Sequence, residues 1–116
     1  MSKDVRAMYE DLLKGMNAVG TERSDVIGPF SAFMHETETN GPLDAKTKEL
    51  IAISISVYCR CEYCIIYHVN GAFQKGATRE EILDAAVTAM VYGGGPTMAY
   101  ISATLMPCLD AFDPNK

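Results

Sequence analysis

An all-α fold, a bundle of about six helices in one domain, is predicted by three observations. Apolar residues recur at helical spacing nearly throughout, no run alternates cleanly with a period of two, and the five prolines and nine glycines fall mainly between the periodic segments. The 116 residues suffice for one core, and a composition of 48% hydrophobic and 22% charged residues is that of an ordinary globular domain. Seven methionines and no tryptophan point to an adaptable apolar interior.

The first helix is expected over about residues 3–18, where Val5, Met8, Tyr9, Leu12, Leu13 and Met16 share one side, with Gly20 as a left-handed cap beyond it. The second should run over about residues 29–37. Pro29 suits a first-turn position there, Phe30, Phe33 and Met34 supply the apolar face, and ETETNGP breaks the pattern. Asp44 can accept hydrogen bonds from free first-turn amides, so a third helix is read from Ala45 to about Tyr58 with LIAISISVY as its buried body. Its β-branched content makes a strand the competing reading.

A fourth helix is expected from Cys61 or Glu62 to Lys75, stopped by Gly76. Thr78 followed by Glu81 is a capping box, which starts a fifth helix reaching about Val91. Gly93-Gly94-Gly95-Pro96 interrupts next, and Pro96 is preset for the first turn of a last helix that ends near Leu105, ahead of Pro107. Met98, Tyr100, Ile101, Leu105 and Met106 could face a second subunit, or pack on their own chain.

The net charge is −5 and the ten basic residues are scattered, so no stripe exists to follow a phosphate backbone and nucleic acid is excluded as a partner. The opening MSKDVRAMYEDLL lacks the apolar run and cleavage site of a secretory signal, so a cytoplasmic location is expected. Leu50 to Tyr58 is the most apolar stretch and is far short of the roughly 20 residues a membrane span needs. In a reducing compartment four cysteines do not read as a disulfide framework, and a close pair reads as catalytic or metal-binding.

The chemistry concentrates in YCRCEYCIIYHV, residues 58–69, which holds three of the four cysteines and one of the two histidines. Cys61 and Cys64 form a C-x-x-C pair. In the first turn of a helix their sulfurs lie near unpaired amides and the positive end of the helix dipole, a setting that favours thiolate. Cys64 and His68 are four apart, on one helical face, so the imidazole can take or share the thiol proton. Glu49 joins them if the third and fourth helices form an antiparallel hairpin turning near Arg60. A helix unbroken from Glu49 to His68 would hold them roughly 28 Å apart. Thiol, base and orienting carboxylate are the parts of an activated nucleophile. The segment from Tyr58 to Cys61 contains neither glycine nor proline, so the turn is inferred from function rather than from local signals.

Glu49, Cys61, Cys64 and His68 together spell E-x11-C-x2-C-x3-H. This resembles the signature of the alkylhydroperoxidase D-like group in the carboxymuconolactone decarboxylase family, and the similarity extends through KTKELIAI and NGAFQKGATREEILDA, about residues 43–95. The resemblance implies an all-helical fold, a homo-oligomer (often a trimer or hexamer), and a thiol-dependent peroxidase or disulfide-reductase activity. It also implies the roles: Cys64 as the peroxide-attacking thiolate, Cys61 as the resolving cysteine that closes a disulfide with it, His68 as base, and Glu49 as its proton-relay partner. The expected partners are a small peroxide and a dithiol reductant of lipoyl or thioredoxin type, with no bound cofactor or metal. Tyr63 stands where alkylhydroperoxidase D itself has a histidine, a departure that bears on substrate and tuning.

Two other readings compete. The family includes lactone decarboxylases that share the fold without relying on the cysteine pair. Cys59, Cys61, Cys64 and His68 also total four ligands for tetrahedral zinc in a non-catalytic module, although one helix does not wrap four ligands around an ion. The haem pattern C-x-x-C-H fails at Ile65, and the triple glycine lacks the lysine of a phosphate loop. Cys59 reads as a packed core thiol, Cys108 as structural, His35 as a partly exposed helix residue, and Tyr63 and Tyr67 as packing aromatics.

Overall fold

A computed structural model describes residues 3–115, and among them there is no strand. Helix α1 spans Val5–Glu22, α2 Ser24–Thr39, α3 Ala45–Tyr58, α4 Glu62–Gln74, α5 Arg79–Thr88 and α6 Met90–Tyr100. A π-helical stretch, Ile101–Leu105, then leads directly into α7, Met106–Phe112.

At Asp44 and Thr78, the two side-chain caps read from the sequence, the reading and the structure agree to the residue. Asp44 accepts from the Thr47 amide at 2.8 Å and opens α3. Thr78 accepts from the Glu81 amide at 3.1 Å while the Glu81 carboxylate accepts from the Thr78 amide at 2.9 Å, which opens α5. Lys46 reaches Glu81 at 3.0 Å and ties these two helices together.

Glycine and proline mislead in three places. Gly20 lies inside α1 rather than capping it, because the helix continues to Glu22 and α2 packs closely at that point: a Cβ on Gly20 would sit 3.6 Å from Ile27. The second helix begins at Ser24, not Pro29, because Arg23 alone forms the joint with α1 and offers its carbonyl to Ile27 at 2.9 Å. Pro29 therefore lies within α2, where its missing N–H removes one hydrogen bond without ending the helix. Pro107 does not end the chain's last helix either. It enters the first turn of α7 directly after the π-helical stretch, whose wider i→i+5 bonding, closed by the Met106 amide on Ile101, receives a residue that has no amide to donate.

The fifth helix stops at Thr88 rather than Val91, and α6 follows at once with a kink at Gly94, whose φ of 59° and ψ of −140° leave the helical region. Gly93 is required beside it, since a Cβ there would collide with Thr97.

The core is built by α3 to α7. Ile53 and Val57 of α3, Ile65, Ile66 and Val69 of α4, Ile82 and Ala86 of α5, and Leu105, Cys108 and Leu109 near the carboxyl end are fully buried. Ile101 and Leu105 thus pack on their own chain, whereas Met98 is exposed. Helix α1 buries only Val5 and α2 buries nothing, leaving Leu13, Met16, Val19, Val26, Phe30 and Phe33 open to solvent. No helix is long and apolar enough to cross a membrane among the described residues.

Candidate active site

The antiparallel pair α3 and α4 builds the site, and the turn between them decides its geometry. Helix α3 ends in a Schellman arrangement: the Cys61 amide reaches back to the Ser56 carbonyl at 3.1 Å and the Arg60 amide to Val57 at 3.3 Å. That bonding requires a left-handed residue between the helices, and Arg60 takes it, with φ of 57°. A non-glycine side chain in this region costs about 1–2 kcal/mol. The reversal inferred from function is therefore present, at the residue where the local sequence carries no signal for it.

The turn places Cys61 as the N-cap of α4, its sulfur accepting from the Cys64 amide at 3.2 Å. The two cysteines are joined as a disulfide, with their Cα atoms 5.2 Å apart. One helical turn further on, His68 Nδ1 lies 2.8 Å from Glu49 Oε1, across the helix pair. All four residues singled out in the sequence thus lie on one seam of the molecule.

Glu49 is almost completely buried, 4% exposed, and both of its oxygens are engaged. Oε1 meets His68, and Oε2 accepts from the Lys75 ammonium at 2.6 Å. Burial pushes its pKa up, but the hydrogen bonds from His68 and Lys75, with their charges, outweigh it and hold the carboxyl below its ordinary value. An ionised Glu49 can only accept, so the proton between the two groups belongs to Nδ1 and the lone pair of a neutral imidazole is on Nε2.

Two residues of this seam escaped the sequence reading. Gly71 is the close approach that admits the carboxylate, since a Cβ there would lie 2.5 Å from Glu49 Oε2. Lys75 is its second anchor. Cys64, His68, Gly71 and Lys75 follow one another at spacings of four, three and four, one face of α4. That heptad continuation beyond His68 was the signal available in the sequence. Aromatic packing braces the imidazole from the other side: Tyr67 meets the His68 ring edge-on at 5.3 Å, and Tyr9 lies 6.5 Å beyond Tyr67. Burial, with Glu38 nearby, raises the Tyr67 pKa, so its phenol stays neutral at physiological pH.

The remaining cysteines differ sharply. Cys59 is exposed at the end of α3 and is not the packed core thiol expected, because it occupies the C-cap position, outside the last buried turn. Cys108 is buried in α7 as expected, and burial pushes its thiol up to about 12 despite an opposing influence from Lys3. No cluster of three or more His, Cys, Asp or Glu side chains able to hold a metal ion occurs among the described residues. A groove of about 1080 Å³ runs between α1 and α2, largely apolar, and touches α4 at Tyr63 and Tyr67; exposed His35 lies on its wall.

The sequence profile of the carboxymuconolactone decarboxylase family matches residues 29–105, which includes the whole seam. The chain belongs to that family. A carboxymuconolactone decarboxylase family protein of Legionella pneumophila has a similar solved structure, 31% identical, with a TM-score of 0.88 over 96% of this chain and 98% of its own. Another from Thermotoga maritima, described as having a possible part in antioxidative response, is 28% identical with a TM-score of 0.79 over 89% of this chain and 87% of its own. Among curated proteins, an uncharacterised protein of Cupriavidus necator is 29% identical over 90% of this chain and 93% of its own length. An uncharacterised protein of the cox locus of Paracoccus denitrificans is 36% identical over 72% and 75%. The all-helical architecture of this carboxymuconolactone decarboxylase family member is shared with both solved structures over most of the chain.

Proposed function

We propose that this protein is a thiol-dependent hydroperoxide reductase that cycles through the Cys61–Cys64 disulfide. The observation that carries the reading is the contact between His68 Nδ1 and Glu49, in the helix whose first turn holds the cysteine pair. It puts the Nε2 lone pair of His68 on the ring nitrogen that Glu49 does not hold, Cys64 lies one helical turn away on the same face of α4, and the description of the Thermotoga maritima neighbour points the same way.

In the proposed cycle His68 takes the Cys64 proton. The thiolate attacks the peroxide, an S–O bond forms as the O–O bond breaks, and the alkoxide leaves as alcohol with the proton held by His68. Cys61 then attacks the Cys64 sulfenic acid, releasing water and closing the disulfide. A dithiol reductant of lipoyl or thioredoxin type restores both thiols by two exchange steps, itself becoming a disulfide. The amide that caps onto the Cys61 sulfur favours a thiolate there, which suits both the resolving attack and departure during reduction.

The exposed apolar residues of α1 and α2 support assembly into a homo-oligomer, for which we propose a trimer or hexamer and a cytoplasmic location. The family's name supports a second reading, decarboxylation of a carboxylated lactone, which would proceed without peroxide and survive loss of the cysteines.

Peroxide consumption with a dithiol separates the two. Cys64→Ser and Cys61→Ser are expected to abolish it and His68→Ala to reduce it about 10²-fold or more. One equivalent of peroxide should lower the thiols of the reduced, afterwards denatured chain from four to two. Full peroxidase activity in Cys64→Ser, or an unchanged thiol count, overturns the proposal.

A further inference from the structure

We infer that Lys75 is a positioning residue of the thiol site, its ammonium holding one oxygen of Glu49 so that the other is presented to His68. The inference rests on the reading of Cys64 as nucleophile and His68 as its base.

Glu49 is 4% exposed, and each of its oxygens has one partner, Lys75 at 2.6 Å and His68 at 2.8 Å. A carboxylate anchored at a single oxygen can rotate about its Cγ–Cδ bond. Anchored at both, its plane is fixed, and so is the direction from which it accepts the Nδ1 proton. Gly71 narrows the choice further, because the carboxylate occupies the space its side chain would need. Glu49, Gly71 and Lys75 therefore form one device, in which α4 supplies the gap and the cation, and α3 the carboxylate.

The cation also sets the charge balance. A carboxylate buried beside a neutral imidazole alone is poorly compensated. The other basic groups nearby are committed elsewhere: Lys46 bonds Glu81 of α5, and Lys48 bonds the carbonyls of Thr37 and Asn40 at the end of α2. Tyr67 of α4, Tyr9 of α1 and Glu38 of α2 lie close by and bring no positive charge. Lys75 is the cation that touches Glu49 among the described residues. Without it Glu49 accepts a proton at higher pH, and a protonated Glu49 no longer stabilises the imidazolium that accompanies the Cys64 thiolate. The acid limb of thiol reactivity should consequently move to higher pH.

The test follows iodoacetamide alkylation of Cys64 in the reduced full-length protein across pH, read by peptide mass, with peroxide turnover measured in parallel. Lys75→Met is expected to raise the midpoint of the acid limb by about one pH unit, a tenfold slower reaction on that limb. Lys75→Arg should restore the wild-type midpoint, and Lys75→Gln, which keeps a donor without the charge, should shift it in the same direction as Lys75→Met and serves if that variant does not fold. In a Glu49→Gln background Lys75→Met should add nothing. An unmoved midpoint in folded Lys75→Met or Lys75→Gln overturns the inference, and so does an equal shift in the Glu49→Gln background. A wild-type protein that reduces no peroxide while the alkylation midpoint still follows Lys75 would sink the peroxidase reading and leave the positioning role standing.

Discussion

The two turns that bracket α4 use the same backbone bonds on different residues. Before α4, the Cys61 and Arg60 amides close on Ser56 and Val57, around Arg60 at φ of 57°. After it, the Ala77 amide closes on Ala72 at 2.9 Å and the Gly76 amide on Phe73 at 3.1 Å, around Gly76 at φ of 90°. Glycine adopts that backbone freely, and arginine does so under strain. The strained turn leads into the thiols, and the relaxed turn ends α4 directly after Lys75. The positive-φ arginine stands directly before Cys61, the N-cap of α4, and the positive-φ glycine directly after its C-cap.

Between the two turns lies Gly71, and filling it should have the largest effect. Gly71→Ala places a methyl 2.5 Å from a Glu49 oxygen. The carboxylate must leave His68 and Lys75, so peroxide turnover is expected to fall about 10²-fold, with a stability loss of about 1–3 kcal/mol in urea unfolding. Retained turnover would show that the carboxylate finds another route to the imidazole.

Next comes Gly76→Ala. Nothing lies within 4 Å of where its Cβ would go, so the loss is that of the backbone alone, about 1–2 kcal/mol, with turnover unchanged. The smallest effect belongs to Arg60→Gly, which relieves the strained turn but loosens the unfolded chain. A net gain of about 0.5–1 kcal/mol is expected, measured in the same redox state as the parent. A loss in Arg60→Gly would mean that the arginine side chain contributes more than its backbone costs, and the contrast between the turns would then be one of side chains.

The same pair of turns explains what was legible in the sequence. Gly76 announces its turn, and the Asp44 and Thr78 caps announce the starts of α3 and α5, because in each the residue type is chosen by a local backbone need. The turn at Arg60 is made by backbone groups that any residue carries, so composition is silent there. Pro29 and Pro107 were read by their local rule, yet each lies inside a helix: at Pro29 one hydrogen bond is lost and the helix continues, and at Pro107 the preceding π-helical stretch takes up the missing donor. In the site, Glu49, Cys61, Cys64 and His68 were readable because their chemistry is scarce and their spacing specific. Gly71 and Lys75 were not, since a glycine that makes room and a lysine that anchors acquire meaning only once α3 is laid against α4.

The Cys64 amide, bonded to the Cys61 sulfur at 3.2 Å, belongs both to the scaffold and to the thiol pair. Sulfur accepts a hydrogen bond as disulfide, thiol or thiolate, and most strongly as thiolate. Opening the bridge therefore leaves this rod with an acceptor at its beginning, and oxidation state alters how tightly the Cys64 amide is held rather than whether it is held. In the proposed cycle the change of redox form therefore needs no unwinding of the helix that carries the cysteine pair.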